Sequence, residues 1–198
     1  TGEASGDLHG ANLAKALQKA DPSLSIVGIG GALMKAAGVE LVPNVVQLDL
    51  MGLIGPASIK PMIQRVMRIR RVIQSELWDL VVLINNPGLN FHFARVAKAA
   101  GRRVLYYIAP QIWAWRPGRM RWIQRRVDHV LAILPFEETL YKKAGVRCTF
   151  VGNPLLDEVA PAYDRQALRR QLGLSEAGPV IGLFPGSRKG ELYEHVPL

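Results

Sequence analysis

The sequence predicts an α/β protein with a Rossmann-like parallel sheet covered by helices on both faces. Three observations predict it: short apolar runs alternate with segments of helical periodicity, the runs are continuous rather than alternating, and glycines close successive helices. In order, Leu8–Ala20 carries apolar residues at Leu13, Ala16, Leu17 and Ala20, a helical spacing ended by Asp21-Pro22. Leu24–Ile29 reads as a buried strand closed by Gly30-Gly31, and Ala32–Ala37 as a short helix with Gly38 as its cap. Lys60–Leu77 is helical through Ile63, Val66, Met67, Arg70 and Ile73. Leu80–Ile84 is a strand buried on both faces, Asn90–Ala100 a helix closed by Gly101, and Arg103–Ile108 a strand. Arg119–Arg126 is a helix, His129–Leu134 a strand, Glu137–Ala144 a helix ended by Gly145, and Cys148–Val151 a strand.

These elements define a first domain over residues 1–152. Residues 153–163, which hold two prolines, read as a linker. Residues 164–198 open a second domain with a helix at Arg165–Leu172 and a strand at Val180–Phe184. One helix and one strand bury too little for a domain, so this part is expected to be truncated. The chain opens at Thr1 on a glycine-rich motif that a strand normally precedes, so a short segment is also expected before it. In parallel sheets of this kind ligands lie beyond the carboxyl ends of the strands. The residues that follow each strand are therefore the ones to read for chemistry.

Composition narrows the partners. The single cysteine, Cys148, excludes an internal disulfide and a cysteine metal cage, and the cytosol is the expected compartment. The longest apolar runs, Leu80–Ile84 and Val130–Leu134, fall far short of the roughly 18 residues a spanning helix needs. A net charge of +9 points to polyanions: phosphorylated substrates, anionic lipid or nucleic acid. The basic residues cluster at Lys60, Arg65, Arg68, Arg70 and Arg71, and again at Arg116, Arg119, Arg121, Arg125 and Arg126. No nucleic-acid-binding motif is recognisable, and nucleic acid is not an expected partner.

Four motifs carry candidate chemistry, each with a plainer reading beside it. Thr1-Gly2-Glu3-Ala4-Ser5-Gly6-Asp7 precedes the first helix, where Ser5 or Asp7 can cap free amides that make an anion or sugar site; a simple capped turn accounts for the same residues. Tyr106 to Arg116 is the densest aromatic stretch. In an extended segment Trp113 and Trp115 share one face, suited to sugars or an interface, while Tyr106 and Ile108 read as core. Met51-Gly52-Leu53-Ile54 leads into the basic helix, as a surface membrane anchor would, although an ordinary solvated amphipathic helix fits equally. Pro185-Gly186-Ser187-Arg188-Lys189-Gly190-Glu191 suits a phosphate or is a charged turn; it is not a P-loop. The four histidines, His9, His92, His129 and His195, lack ligand spacing, so no metal site is expected.

Taken in order, Gly2–Asp7, Met51-Gly52, Pro87 with Asn90, Pro110–Arg116, Leu134–Glu137, Val151–Leu155 and Pro185–Arg188 resemble the lipid-A-disaccharide synthase family. The resemblance covers essentially the whole chain, and Trp113-Ala114-Trp115-Arg116 is its most specific part. It implies the N-terminal half of a two-Rossmann-domain (GT-B) glycosyltransferase plus the start of the UDP-binding half. The implied reaction moves 2,3-diacylglucosamine from its UDP conjugate to 2,3-diacylglucosamine 1-phosphate, with inversion and without metal or organic cofactor. The implied place is the cytoplasmic face of the inner membrane, on an anionic surface; a homo-oligomer is compatible with it. By resemblance Gly2, Ser5, Gly6, Asn90, Gln111, Trp113, Trp115 and Arg116 face the acceptor, and Gly186, Ser187, Arg188 and Glu191 face UDP. Met51, Leu53, Ile54, Arg65, Arg68 and Arg71 are the expected membrane contacts.

One position departs from the family. Where it carries Ile-Asp-x-Pro, with the aspartate as proposed general base, this chain has Ile84-Asn85-Asn86-Pro87. An amide cannot take the proton of the acceptor hydroxyl, so turnover by the chain as it stands is not expected. Glu3, Asp7 and His9 are the alternative bases. Another UDP-sugar transferase of the same fold, or a non-catalytic lipid-binding relative, would share these features.

Overall fold

Residues 4–43, 45, 59–75, 78–115, 117–159, 162–186 and 192–193 are described by a computed structural model. Helix α1 (Ala4–Ala20) starts earlier than its apolar spacing suggests, so Ser5, Gly6 and Asp7 lie inside its first turns and cap nothing there. Strand β1 (Val27–Gly28) is all that forms of Leu24–Ile29. After it come α2 (Ala32–Ala36) and β2 (Glu40–Leu41), and β1 pairs in parallel with β2, Val27 opposite Glu40. No apolar run announces β2, and its brevity limits β1 to the two residues it can pair.

Asp7 explains how this small unit is joined. Its carboxylate, 4% exposed, accepts from the N–H groups of Gly31 at 2.7 Å, Met34 at 3.1 Å and Leu33 at 3.1 Å. These are the free donors at the start of α2, where a negative charge also meets the positive end of the helix dipole. Gly30 must remain glycine, because a Cβ there would stand 2.2 Å from Met34 Sδ and 3.0 Å from Asp7 Oδ1. Ala11, Ala14, Met34, Ala37 and Val39 form the apolar cluster that this cap closes.

Helix α3 (Ile59–Ser75) buries Ile69 and Ile73 against the main core. The main sheet then builds in sequence order: β3 (Leu80–Ile84), α4 (Pro87–Ala99), β4 (Arg103–Tyr107), α5 (Ile112–Trp115), α6 (Met120–Arg126), β5 (His129–Ala132), α7 (Pro135–Lys143) and β6 (Cys148–Phe150). All four strands are parallel in the order β3-β4-β5-β6, with Ile84 opposite Tyr107 and Tyr107 opposite Leu131. Beneath them Val104, Tyr106, Ile123, Val130, Ala132 and Tyr141 are fully buried. Gly101 and Gly145 close α4 and α7 at φ of +74° and +73°, a conformation that costs glycine little. As an edge strand of this sheet, β3 is less covered than its apolar run implies. Leu83 and Ile84 are buried, Leu80 is 48% exposed, and the strand borders an apolar cavity that Val27 and Ile29 also line.

The chain divides into two compact units, Thr1–Pro154 and Leu155–Leu198. In the second, Asp164 caps α8 (Arg165–Gln171) by accepting from the N–H groups of Gln166 and Ala167. The buried Arg169 donates to the carbonyls of Ser175 at 2.8 Å and Gly178 at 2.5 Å. The strand expected at Val180–Phe184 does not form: no neighbouring strand pairs it among the described residues, and Ile181, Leu183 and Phe184 are exposed.

The Asp7 cap gives a direct expectation. Asp7→Ala should lower stability by about 1–2 kcal/mol in urea unfolding, the range seen for lost helix caps, and Asp7→Asn by less. Unchanged stability in Asp7→Ala would show that the cap is not holding α2.

Candidate active site

At the carboxyl edge of the main sheet the chain leaves β3 through a backbone that most residues avoid. Asn85 and Asn86 take φ of +49° and +38°, and beside them Ile108, just after β4, takes φ of +55°. Asparagine tolerates the left-handed region, whereas a β-branched residue there is strained. Such strain persists only where surrounding contacts fix it. Here the fixing contacts are visible. The buried Asn90 side chain donates through Nδ2 to both Ile84 O at 3.0 Å and Asn85 O at 2.6 Å. The Tyr106 hydroxyl donates to the same Asn85 carbonyl at 2.9 Å, and Asn85 N donates to Tyr107 O at 3.1 Å. Burial pushes the Tyr106 phenol well above its ordinary pKa, offset in part by the Asn90 amide and by the Arg119 charge. It is therefore a fixed neutral donor at any working pH.

The aromatic motif forms the next piece of the edge. It is a turn of helix, α5, and not the extended segment on which a shared face for the two tryptophans depends. Trp113 donates through Nε1 to Glu137 Oε1 at 3.1 Å and meets the Phe136 ring edge-on at 4.9 Å between centroids. Glu137, 2% exposed, accepts from Leu134 N through its other oxygen at 3.2 Å. The Tyr141 hydroxyl donates to Pro110 O at 3.2 Å. Thus α7 grips both ends of the segment 110–113, Trp113 from its start and Pro110 from Tyr141 further along, while Gln111 between them is exposed. Trp113 is 38% exposed, enough to offer part of one face outward.

A ring stack lies behind this edge. Phe91 meets Trp122 at 4.3 Å and Tyr106 at 6.5 Å, both edge-on. The Arg119 guanidinium sits over Phe91 at 5.0 Å and that of Arg126 over Trp122 at 4.8 Å.

The other expected site residues divide as follows. Asp7 has both carboxylate oxygens occupied at the start of α2, which makes it a cap before it is anything else. His9 and Gly6 are buried and Ser5 is exposed. Gly2, Glu3, Met51, Leu53, Ile54, Arg116, Ser187, Arg188, Glu191 and the side chain of Trp115 lie outside the described residues. In the second unit Gly186 is exposed with φ of +111°. On α3, Arg65 lies on the half-buried flank, and Arg68 is exposed but donates to Pro43 O at 2.8 Å. Arg71 is exposed in line with Ile63 and Met67, which are 48% and 49% exposed. Among the described residues no group of three or more His, Cys, Asp or Glu could hold a metal, and no helix is long and apolar enough to cross a membrane.

Three participants were harder to find from residues alone. Tyr106 reads as core, yet its polar tip is what meets Asn85; the signal is a tyrosine one residue from the end of a buried strand. Glu137 becomes visible only when Trp113 needs an acceptor. Arg119 is hidden among ten neighbouring cations until Phe91 singles it out.

An open parallel sheet with strained turns and anchored loops at its carboxyl edge is the Rossmann-like half-domain found in GT-B glycosyltransferases. The family model described as lipid-A-disaccharide synthetase matches residues 1–198, and the chain belongs to that family. Among curated relatives, it is 46% identical over 198 residues to lipid-A-disaccharide synthase of Geobacter metallireducens, covering 100% of this chain and 52% of the relative. It is 47% identical to the synthase of Syntrophus aciditrophicus (100% and 52%) and 42% identical to that of Coxiella burnetii (100% and 53%). The chain thus spans about half the length of the curated relatives it matches.

The anchoring of Asn85 is testable by unfolding in urea. Tyr106→Phe, which removes one hydrogen bond, should cost about 1 kcal/mol. Asn90→Ala, which removes two hydrogen bonds and leaves Asn85 O with the Tyr106 hydroxyl alone, should cost about 2 kcal/mol or more. Equal small effects for both would show that Asn90 is not the main anchor.

Proposed function

We propose that the first unit is the acceptor-side half of an inverting glycosyltransferase that makes the lipid A disaccharide. In this reading residues 1–152 form the acceptor domain, 153–163 a linker, and 164–198 the start of the domain that binds the UDP donor. The acceptor is 2,3-diacylglucosamine 1-phosphate. Its 6-hydroxyl attacks the anomeric carbon of UDP-2,3-diacylglucosamine; the new C–O bond forms as the bond to UDP breaks, giving the β-1,6 linkage without metal or organic cofactor. The observation that carries this reading is that three of the segments that resemble the family, around Asn90, Trp113 and Glu137, lie at one sheet edge. Asn85 and Asn90 end β3, and the segment 110–115 is gripped by Phe136 and Glu137.

Gly2, Ser5, Gly6, Gln111, Trp115 and Arg116 complete the acceptor side in this proposal, and Gly186, Ser187, Arg188 and Glu191 the UDP side. Residue 85 stands where the hydroxyl proton should go. The Asn85 amide can orient that hydroxyl but cannot accept its proton. With Asp7 committed to α2, Glu3 and His9 remain as candidate bases. The chain as it stands should therefore turn over slowly.

At full encoded length, Asn85→Asp should raise turnover on the acylated acceptor by on the order of 10²–10⁴, the worth of a general base. The left-handed backbone at 85 admits Asp nearly as well as Asn, so the substitution tests chemistry rather than folding. Transfer to unacylated glucosamine 1-phosphate in preference to the acylated sugar would rule out this substrate assignment.

We place the protein on the inner face of the inner membrane, held through Met51, Leu53, Ile54, Arg71 and the exposed face of α3. Ile63 and Met67 sit in the middle of that face, with Lys60, Arg68, Arg70 and Arg71 around them. An apolar centre within a basic ring suits an anionic bilayer surface. Ile63→Ser with Met67→Ser should reduce sedimentation with phosphatidylglycerol vesicles several-fold. Equal loss on neutral phosphatidylcholine vesicles would point to apolar insertion without charge selection.

A further inference from the structure

The ring stack behind the candidate site holds one cation in an unusual position. Arg119 follows the aromatic turn directly, at the end of a 3-10 turn over Pro117–Arg119, and is half-buried. Its guanidinium lies 5.0 Å above the Phe91 ring. Phe91 in turn meets Tyr106, whose hydroxyl is bonded to the Asn85 carbonyl. Arg119 is therefore joined through two rings, Phe91 and Tyr106, to the residue that stands at the reacting position. Its charge also reaches the Tyr106 phenol.

Among the described residues no carboxylate pairs with that charge. The ion pairs among the described residues join Lys98 to Asp128 and Lys142 to Glu138, and neither involves Arg119. A cation–π contact uses the charge of the guanidinium without spending its N–H donors, which can still meet an oxyanion. Stacking also fixes the group in advance, so little side-chain freedom is lost when an anion binds. Arg126 on Trp122 shows the same stacking at the far end of the cluster, more distant from Asn85, and serves as an internal control.

We infer that Arg119, stacked on Phe91 beside the Tyr106–Asn85 contact, binds the phosphate of the phosphorylated sugar acceptor. The inference rests on the acceptor reading above and adds to it the residue that selects for the phosphate. Two sources of phosphate could meet this cation: the monoester of the acceptor and the diphosphate of the donor. Its place on the first unit, in the ring cluster that holds the Asn85 carbonyl, assigns the acceptor.

The test is equilibrium binding to the protein at full encoded length, with three ligands: 2,3-diacylglucosamine 1-phosphate, the same sugar without phosphate, and UDP-2,3-diacylglucosamine. Arg119→Gln should weaken the phosphorylated acceptor by about 10-fold or more, as expected for a charge-assisted pair, and leave the other two unchanged. Arg119→Lys should recover part of the loss, and Arg126→Gln should change none of the three. Unchanged binding of the phosphorylated acceptor to Arg119→Gln would overturn the inference, as would equal weakening of all three ligands, which marks a structural role. Weakening of the UDP conjugate alone would move the residue to the donor. If the unsubstituted protein binds none of the three, the acceptor reading fails and this inference with it; if it binds them and only the Arg119 effects are missing, the acceptor reading stands.

Discussion

The end of β3 depends on one buried amide. There the chain turns left-handed at Asn85 and Asn86, and the carbonyls of Ile84 and Asn85 take donors from a side chain. Asn90, one turn into α4, supplies both from a single nitrogen. That choice fixes how α4 leaves the sheet, with Pro87 in its first turn, where a missing N–H costs nothing. A helix begun elsewhere would leave the two carbonyls bare and release the strained pair Asn85-Asn86. The Tyr106 hydroxyl then adds a second donor to Asn85 O from the neighbouring strand, so the end of β3 is tied to its own helix and to β4 at once.

The aromatic turn is held by a second device that shares no residue with the first. Glu137 offers one oxygen to Trp113 and the other to Leu134 N, a combination that only a carboxylate can supply, since a glutamine would present a donor to one of them. Phe136 blocks the indole from the side, and Tyr141 holds Pro110. The residue left outward between these anchors is Gln111. Rigid flanks around a short exposed segment are what a binding edge needs, because the segment then meets a ligand already shaped.

The fold was legible wherever burial and periodicity agreed. Leu80–Ile84 matches the observed strand, and Gly101 and Gly145 mark helix ends, because a glycine at positive φ leaves a sequence signal. The readings that missed share a different cause: each needed a partner distant in sequence. Val27–Gly28 is short because β2 is short. Val180–Phe184 looks like a strand but has no strand beside it among the described residues. Asp7 sits at a helix start in the sequence, yet caps a helix 24 residues further on. A shared face for Trp113 and Trp115 needs an extended segment, and residues 112–115 instead curl into a turn that their own aromatic composition does not announce. Asn85 and Asn90 could be singled out by resemblance; that one binds the carbonyl of the other could not.

The charge excess takes on a physical meaning once the partners of the arginines are counted by kind. With 25 Lys and Arg against 16 Asp and Glu, the acids could neutralise most of the cations. Five of the described arginines instead have neutral partners. Arg68 and Arg169 bind backbone carbonyls, Arg70 binds the Gln74 amide, and Arg119 and Arg126 rest on rings. Such contacts hold the side chain in place while leaving its charge uncancelled. Surface ion pairs would have added little to stability in any case, so the structure forgoes little by omitting them. What it retains is a positive field with fixed sources, strongest where the cations are anchored and weakest in salt. A protein organised this way is poor at storing stability in charge and well suited to drawing in phosphorylated sugars or an anionic surface. The same positioning on neutral partners makes Arg119 a better phosphate ligand than a freely moving lysine at the same place.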